Sequence, residues 1–342
     1  MLRYLVQRVF LLVLTFLTIT VIAFLIMHLA PGDPVDLFFA GGLGAGAEGI
    51  QTERLDRVEQ AKDELRKQLG LDRPLHEQYL KWLGRMLQGD LGRSLKDGRS
   101  VWDKIRERLP LTVTLNSLAI LITFGVAIPL GILSAVKTGS VADQATTVVV
   151  FMLYSLPSFW VGTMIIIFFC GGDFFGWFPP AGLHSLAYEP DWPLGRRVVD
   201  YMHHLAMPLL VTTYGTFAFL SRVLRSSMLE VKQQDYVRTA RAKGVHERVV
   251  ILKHILRNSI IPIVTNIGGL LPALIGGSVI IETIFSLPGL GFLGYQAVLA
   301  RDYPVVLALL SASSGLALVG ILISDVALVL VDPRISFKRQ QA

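Results

Sequence analysis

Residues 111–136 read LTVTLNSLAILITFGVAIPLGILSAV, twenty-six residues without a charged side chain. A helix rising 1.5 Å per residue needs about 20 apolar residues to cross a hydrocarbon core of roughly 30 Å, and this run is long enough. Five further apolar runs have comparable length, at 9–29, 146–170, 205–221, 260–285 and 305–331. The chain of 342 residues is 52% hydrophobic and only 17% charged. Its mean hydropathy is +0.55. These features predict an all-α integral membrane protein with six transmembrane helices and both termini on one side of the membrane.

The first run follows Arg3 and Arg8 as a signal peptide would, but its apolar core is about twice the usual signal length and five more runs follow it. It reads as a span. Lys and Arg in short loops set the orientation, because positive loops stay on the cytoplasmic side. With the N-terminus inside, the cytoplasmic segments hold 15 such residues, nine of them between Arg222 and Arg257. The outer short segments hold 3, namely Arg196, Arg197 and Arg301. Lys104, Arg106 and Arg108 sit outside and close to a span, against the trend, yet the margin places both termini in the cytoplasm. The +6 net charge is thus a membrane-face feature, where anionic lipid is the natural partner, and no nucleic-acid motif accompanies it.

The resulting organisation is an N-terminal span at 1–29, an extracytoplasmic loop domain at 30–110, a five-helix core at 111–331 and a tail at 332–342. The loop domain opens with the glycine-rich AGGLGAGAEG at 40–49 and continues with a helical amphipathic stretch at 52–70. A second amphipathic stretch, EQYLKWLGRMLQGDLG, suits packing at the membrane surface. Phe174, Phe175, Trp177 and Phe178 fit an aromatic belt at the outer interface.

Catalytic and cofactor patterns are missing or incomplete. His76-Glu77 and His246-Glu247 begin like the zinc-protease HExxH, but Leu80 and Val250 stand where its second histidine belongs. There is neither a GxSxG elbow nor a P-loop GxxxxGK[ST], so the chain reads as no enzyme and binds no cofactor or metal of its own. The adjacent His203 and His204 lack further ligands, and Cys170 is the only cysteine. Gly289, Gly291 and Gly294 spell GxGxxG after Pro288 without a preceding strand; they are expected to form a tight turn with φ above zero. Asp325 is the one acid expected inside a span, Glu282 lying at the end of one, and that is too little for a proton relay. An ion-coupled secondary transporter is the rival class, and the absence of a visible internal repeat weighs against it.

The cytoplasmic loop at 222–257 carries the functional signal. Val237, Ala240, Val245, Val249, Leu252 and Leu256 recur every three to five residues among the nine cations, which describes amphipathic helices that join at Gly244. DYVRTARAKGVHERVVILKHILRN at 235–258 resembles the coupling loop of ATP-binding-cassette importer permeases, in the dipeptide, oligopeptide and nickel branch. The family's Glu-Ala-Ala triplet is here Arg238-Thr239-Ala240, followed by the Gly at 244, and its later Leu-Pro is Leu256-Arg257. APGDP at 30–34, LGLDRPLHEQYLKWL at 69–83, ETIFSLPGLG at 282–291, RDYP at 301–304 and the closing DPR extend the resemblance over nearly the whole chain.

That resemblance implies the type I importer permease fold, in the bacterial inner membrane. Its partners would be a second homologous permease, two ATPase subunits that bind ATP and Mg, and an extracytoplasmic substrate-binding protein. The cargo would be short peptides, with nickel or its chelate as the alternative. The ATPase-coupling residues would be Asp235, Tyr236, Val237, Arg238, Thr239, Ala240, Arg241, Ala242, Lys243 and Gly244.

Overall fold

The computed structural model describes residues 2–29, 35, 59–64, 66–67, 72–171, 174–264 and 269–331. Helices dominate, and the only β pairing among these residues is an isolated bridge between Arg93 and Ser100. In chain order the helices are α1 (Leu2–Leu29), α2 (Leu75–Leu87), α3 (Val101–Val136), α4 (Val141–Ser155) and α5 (Ser158–Ile165), which ends in a π-helical turn at Ile166–Cys170. Next come α6 (Leu194–Lys232) and α7 (Asp235–Ala242), then α8. Helix α8 opens at Glu247–Val249, is π-helical over Val250–Leu256 and closes at Arg257–Ser259. Four short or long helices remain: α9 (Ile261–Val264), α10 (Leu270–Gly276), α11 (Val279–Ile284) and α12 (Leu290–Leu299), before the last, α13 (Tyr303–Val331).

Among the described residues four helices are long and apolar enough to cross a membrane, and a fifth crossing arises if α4 and α5 count together. Those two are bent by 93° at a break where Pro157 caps α5. Proline has no N–H to give the preceding turn, which forces the bend. The run at 260–285 is not one continuous helix. Within it α9, α10 and α11 are 4, 7 and 6 residues long, and the left-handed Gly277 separates α10 from α11, Pro262 and Pro272 lying inside α9 and α10. Four or five crossings are thus established among the described residues, and the run at 260–285 is not among them. By contrast Pro208 sits inside α6 without ending it, and its carbonyl accepts from the Thr212 hydroxyl at 2.8 Å.

The described residues form two compact units, one from those within 111–292 and 316–331 and one from those within 2–110 and 293–315. In the first, Leu115 of α3, Leu205, Leu209 and Tyr214 of α6 and Phe285 and Leu287 form a buried core. Tyr214 donates its hydroxyl hydrogen to the Leu156 carbonyl at 2.5 Å, which satisfies the backbone group left open at the α4–α5 bend.

In the second unit α1 and α2 meet through Phe24, Tyr79 and Trp82, with the Thr20 and Tyr79 hydroxyls 3.0 Å apart. Most of α1 remains exposed, including Phe10, Ile26 and Leu29, as a lipid-facing helix requires. Helix α2 buries none of its residues fully and exposes Leu80 and Leu87, consistent with an interfacial position. Of the amphipathic stretch at 52–70, residues 59–64 and 66–67 are helical. The glycine-rich segment at 40–49 and the tail at 332–342 lie outside the described residues.

A correction concerns the glycines of 289–294. None has positive φ. Two of them are required by close approach instead: a Cβ on Gly289 would fall 2.4 Å from the Glu282 carboxyl carbon, and one on Gly291 would fall 2.8 Å from the Val279 nitrogen. The Glu282 carboxylate is fully buried and accepts from the backbone N–H groups of Phe292 at 2.7 Å and Ser278 at 3.2 Å. A buried charge is tolerable when backbone donors surround it, and Gly289 makes the room. Gly289→Ala is therefore expected to displace that carboxylate and lower the thermal midpoint of the purified protein by several degrees, about 2 kcal/mol or more of overpacking strain. A midpoint within one degree of wild type would show that the carboxylate moves aside freely.

Candidate functional site: a short amphipathic helix and its seat

Helix α7 is eight residues long and too short to persist alone, so its neighbours must hold it. Val237 and Ala240, three residues apart on one face, are buried against Ala135 of α3, Leu224 and Met228 of α6, and Val250 and Ile255 of α8. Full burial of Val237 contributes on the order of 1.5–3 kcal/mol. The other face, with Asp235, Tyr236, Arg238, Thr239, Ala242 and Lys243, is exposed. Asp235 lies in the first turn and Arg241 in the last, each complementing the helix dipole.

The helix ends in a Schellman motif. The Val245 N–H donates to the Ala240 carbonyl at 3.2 Å and the Gly244 N–H to the Arg241 carbonyl at 2.9 Å. That geometry needs a left-handed residue, and Gly244 has φ +74° with no atom within 4 Å of where a Cβ would stand. Gly244 is thus required by its backbone angle alone.

Two side-chain links hold the turn that follows. Arg241 donates through Nε and NH2 to Glu247 at 3.1 and 2.8 Å, a two-point bridge across the turn. The hydrogen bond from Arg241 holds Glu247 below its ordinary carboxylate range and raises the arginine in turn. Because the folded pKa is depressed, the bridge contributes above Glu247's unfolded value and is lost only as pH falls through the folded one. The second link runs from the Asn258 amide to the Tyr236 hydroxyl at 2.7 Å. Sequence spacing places Arg238 and Arg241 on one face, where they would pair with acidic groups of a partner or with backbone carbonyls. The structure separates their roles. Arg241 is engaged within the chain, whereas Arg238 is 72% exposed with only Asp235 near it, at 3.7 Å.

Within the same unit, a buried polar cluster ties α3, α4 and α6 together, and sequence reading overlooked it. Asp143, at the start of α4, accepts from Arg225 Nε at 2.9 Å and NH2 at 2.8 Å, from the Gly139 N–H at 3.0 Å, and from the Ser134 hydroxyl. Arg222 adds NH1 to the Thr147 hydroxyl at 2.7 Å and NH2 to Ser134 at 3.1 Å. Arg222 and Arg225 thus do more than mark the cytoplasmic face. The signal was present: Ser140-Val-Ala-Asp143 is a capping-box pattern before an apolar run, and Ser140 does cap α4, accepting from the Asp143 N–H at 3.3 Å.

Of the adjacent histidines, His203 is exposed and His204 buried. His203 Nε2 lies 2.9 Å from the Trp177 carbonyl, and His204 Nδ1 lies 2.8 Å from that of Asp200. Asp325 is half-buried and Cys170 buried. Among the described residues no three His, Cys, Asp or Glu side chains are placed to hold a metal ion.

Comparison with known proteins identifies the class of this chain. Residues 127–337 match the family described as "Binding-protein-dependent transport system inner membrane component", and residues 1–116 match the N-terminal region of such membrane components. The chain belongs to this family of transporter subunits, which are permeases and not enzymes. It is 38% identical over 338 residues to the oligopeptide transport system permease protein AppB of Bacillus subtilis, covering 98% of this chain and 100% of that one. It is 36% identical over 355 residues to the dipeptide transport system permease protein DppB of Escherichia coli, covering 99% and 100%. The peptidoglycan transport system permease protein YejB of Agrobacterium fabrum is 34% identical over 368 residues, covering 98% and 99%.

Proposed function

We propose that this chain is the transmembrane permease subunit of an ATP-driven importer of short peptides, and that residues 235–244 couple it to an ATPase. The observation that carries the coupling role is α7 itself, with its apolar side buried in the bundle, its polar side exposed and its end fixed at Gly244. A helix held this way moves with its seat, so a push on the exposed face reaches α3, α6 and α8 as one body. The names of the full-length relatives support peptide cargo.

In this reading six crossings adopt the type I importer arrangement, with α4–α5 and the broken 260–285 segment each counting once. A second homologous permease completes the pathway, two separate ATPases bind ATP and Mg, and an extracytoplasmic binding protein delivers cargo. Both termini are cytoplasmic. A reporter fused after Ala342 is then active in the cytoplasm and one inserted near Gly46 is active outside. The opposite pattern would remove α7 from the ATPase side and end the coupling argument.

Energy source provides the functional test. In proteoliposomes holding the complete complex, uptake of a labelled tripeptide requires ATP and the binding protein, and this chain alone hydrolyses none. Uptake by the chain alone, driven by an ion gradient without ATP, would establish a secondary transporter and direct attention to Asp325.

A further inference from the structure

Helix α4 is fifteen residues long and buries only two of them, Asp143 and Val150. Val148, Val149, Phe151, Met152 and Tyr154 are exposed. Apolar contact therefore gives α4 little hold on its unit, and at its first turns the attachment is polar. The Asp143 carboxylate receives the two-point fork of Arg225, and Arg222 reaches the Thr147 hydroxyl one turn further on at 2.7 Å. A forked pair fixes orientation as well as distance, because both carboxylate oxygens must meet the planar guanidinium. Both acceptors belong to α4 and both arginines to α6.

The far side of this attachment is the seat of α7. Leu224 and Met228, on either side of Arg225 in α6, share a buried cluster with Val237 and Ala240. Ala135 of α3 joins that cluster, and its neighbour Ser134 donates to Asp143. Helices α3 and α6 approach closely here: a Cβ on Gly131 would fall 2.9 Å from the Leu224 Cβ and 3.0 Å from the Ser221 carbonyl oxygen. Packing this tight leaves no room for sliding, so α3, α6 and α7 move as one piece. Whether α4 moves with them is decided by Asp143 and Arg225. Beyond its 93° bend α4 continues into α5, where a Cβ on Gly162 would meet Ile284 at 3.6 Å and Phe285 at 3.7 Å.

We propose that Asp143 and Arg225 are positioning residues for transport: their ion pair joins α4 to the seat of α7, so that a displacement of α7 is delivered to α4 and, round the bend, to α5. The proposal rests on the coupling role of α7 given above. It adds α4 and α5 to the elements that the ATPase moves, through a contact that no apolar surface of α4 replaces.

The test uses the complete complex in proteoliposomes and reads two quantities, the ATPase subunits retained per permease and the ATP hydrolysed per peptide imported. Asp143→Asn with Arg225→Gln removes both charges together, so none is stranded. This variant is expected to retain the ATPases at wild-type stoichiometry, because α7 and its apolar seat are unchanged, while ATP used per peptide rises at least ~5-fold. A second variant switches the tie on and off in one sample. With Cys170, the only cysteine, changed to Ala and with cysteine-free partner subunits, Asp143→Cys/Arg225→Cys is expected to be as poorly coupled as the neutral pair. Bridging the two thiols with a bifunctional methanethiosulfonate should restore most of the wild-type ratio, and reduction should abolish it again. A purely structural role predicts a lower thermal midpoint with a wild-type ratio in both variants, which would overturn the proposal and leave α7 as the coupling element. A ratio that bridging leaves raised would overturn it as well. So would loss of the ATPases from the neutral pair, since the cluster would then act on the seat and not on α4. Wild-type ATPase retention and peptide-stimulated hydrolysis in Gly244→Val and Arg238→Glu would instead remove the coupling role of α7, and this proposal with it.

Discussion

Asp143→Ala is expected to cost about 3–5 kcal/mol of stability, among the larger effects available to a single substitution in this chain. The Asp143 side chain is 5% exposed and its partner in Arg225 25% exposed, so removing the carboxylate strands a desolvated guanidinium. Arg222 worsens the outcome, since its Nε is already buried without a hydrogen-bond partner and its NH2 relies on the Ser134 hydroxyl that Asp143 orients. Thermal unfolding of the purified protein in detergent measures the loss. Asp143→Ala with Arg225→Met should recover a large part of it, because no unpaired charge remains at the pair. A single-variant cost below about 1 kcal/mol would mean that water or lipid headgroups reach the cluster and that the pair is no more than a surface salt bridge.

This cluster shows where the sequence was legible and where it was not. The runs at 111–136 and 205–221 announce α3 and α6 because lipid demands only apolar length, a property of composition. Gly244 was legible because a glycine between two amphipathic patterns has few other uses, and its φ of +74° agrees. The exposed and buried faces of α7 followed from the spacing of Val237 and Ala240. What failed depended on partners distant in sequence. The ion pair of Asp143 has no local sign in the sequence, because Arg225 is 82 residues away. Gly289 looked like a turn glycine because nothing local reveals that Glu282 folds back beneath it. Hydropathy sums over 260–285 are also silent on backbone continuity, which the left-handed Gly277 breaks between α10 and α11.

Gly244→Val is expected to abolish transport while leaving the chain in the membrane. Since nothing lies within 4 Å of the new Cβ, the cost is the left-handed backbone alone, roughly 1–2 kcal/mol for a β-branched residue. That is small beside the stability of the bundle but large for a helix of eight residues whose last turn depends on the Schellman bonds. Gly244→Asn, which tolerates the left-handed region, should retain most activity and separates the backbone requirement from loss of glycine as such. Charge changes then divide the internal role from the external one. Arg241→Glu sets two carboxylates against each other, and Glu247→Arg on the same chain should restore the bridge and much of the activity. Arg238→Glu should not be rescued from within the chain, because its head is exposed and no bridge like that of Arg241 holds it. Co-purification of the ATPases and peptide-stimulated ATP hydrolysis are the two readouts. A helix that only rests on lipid would leave both at wild-type values in Gly244→Val and Arg238→Glu, and that result would sink the coupling role. Loss of either readout, with normal amounts of inserted chain, places the exposed face of α7 against the ATPase.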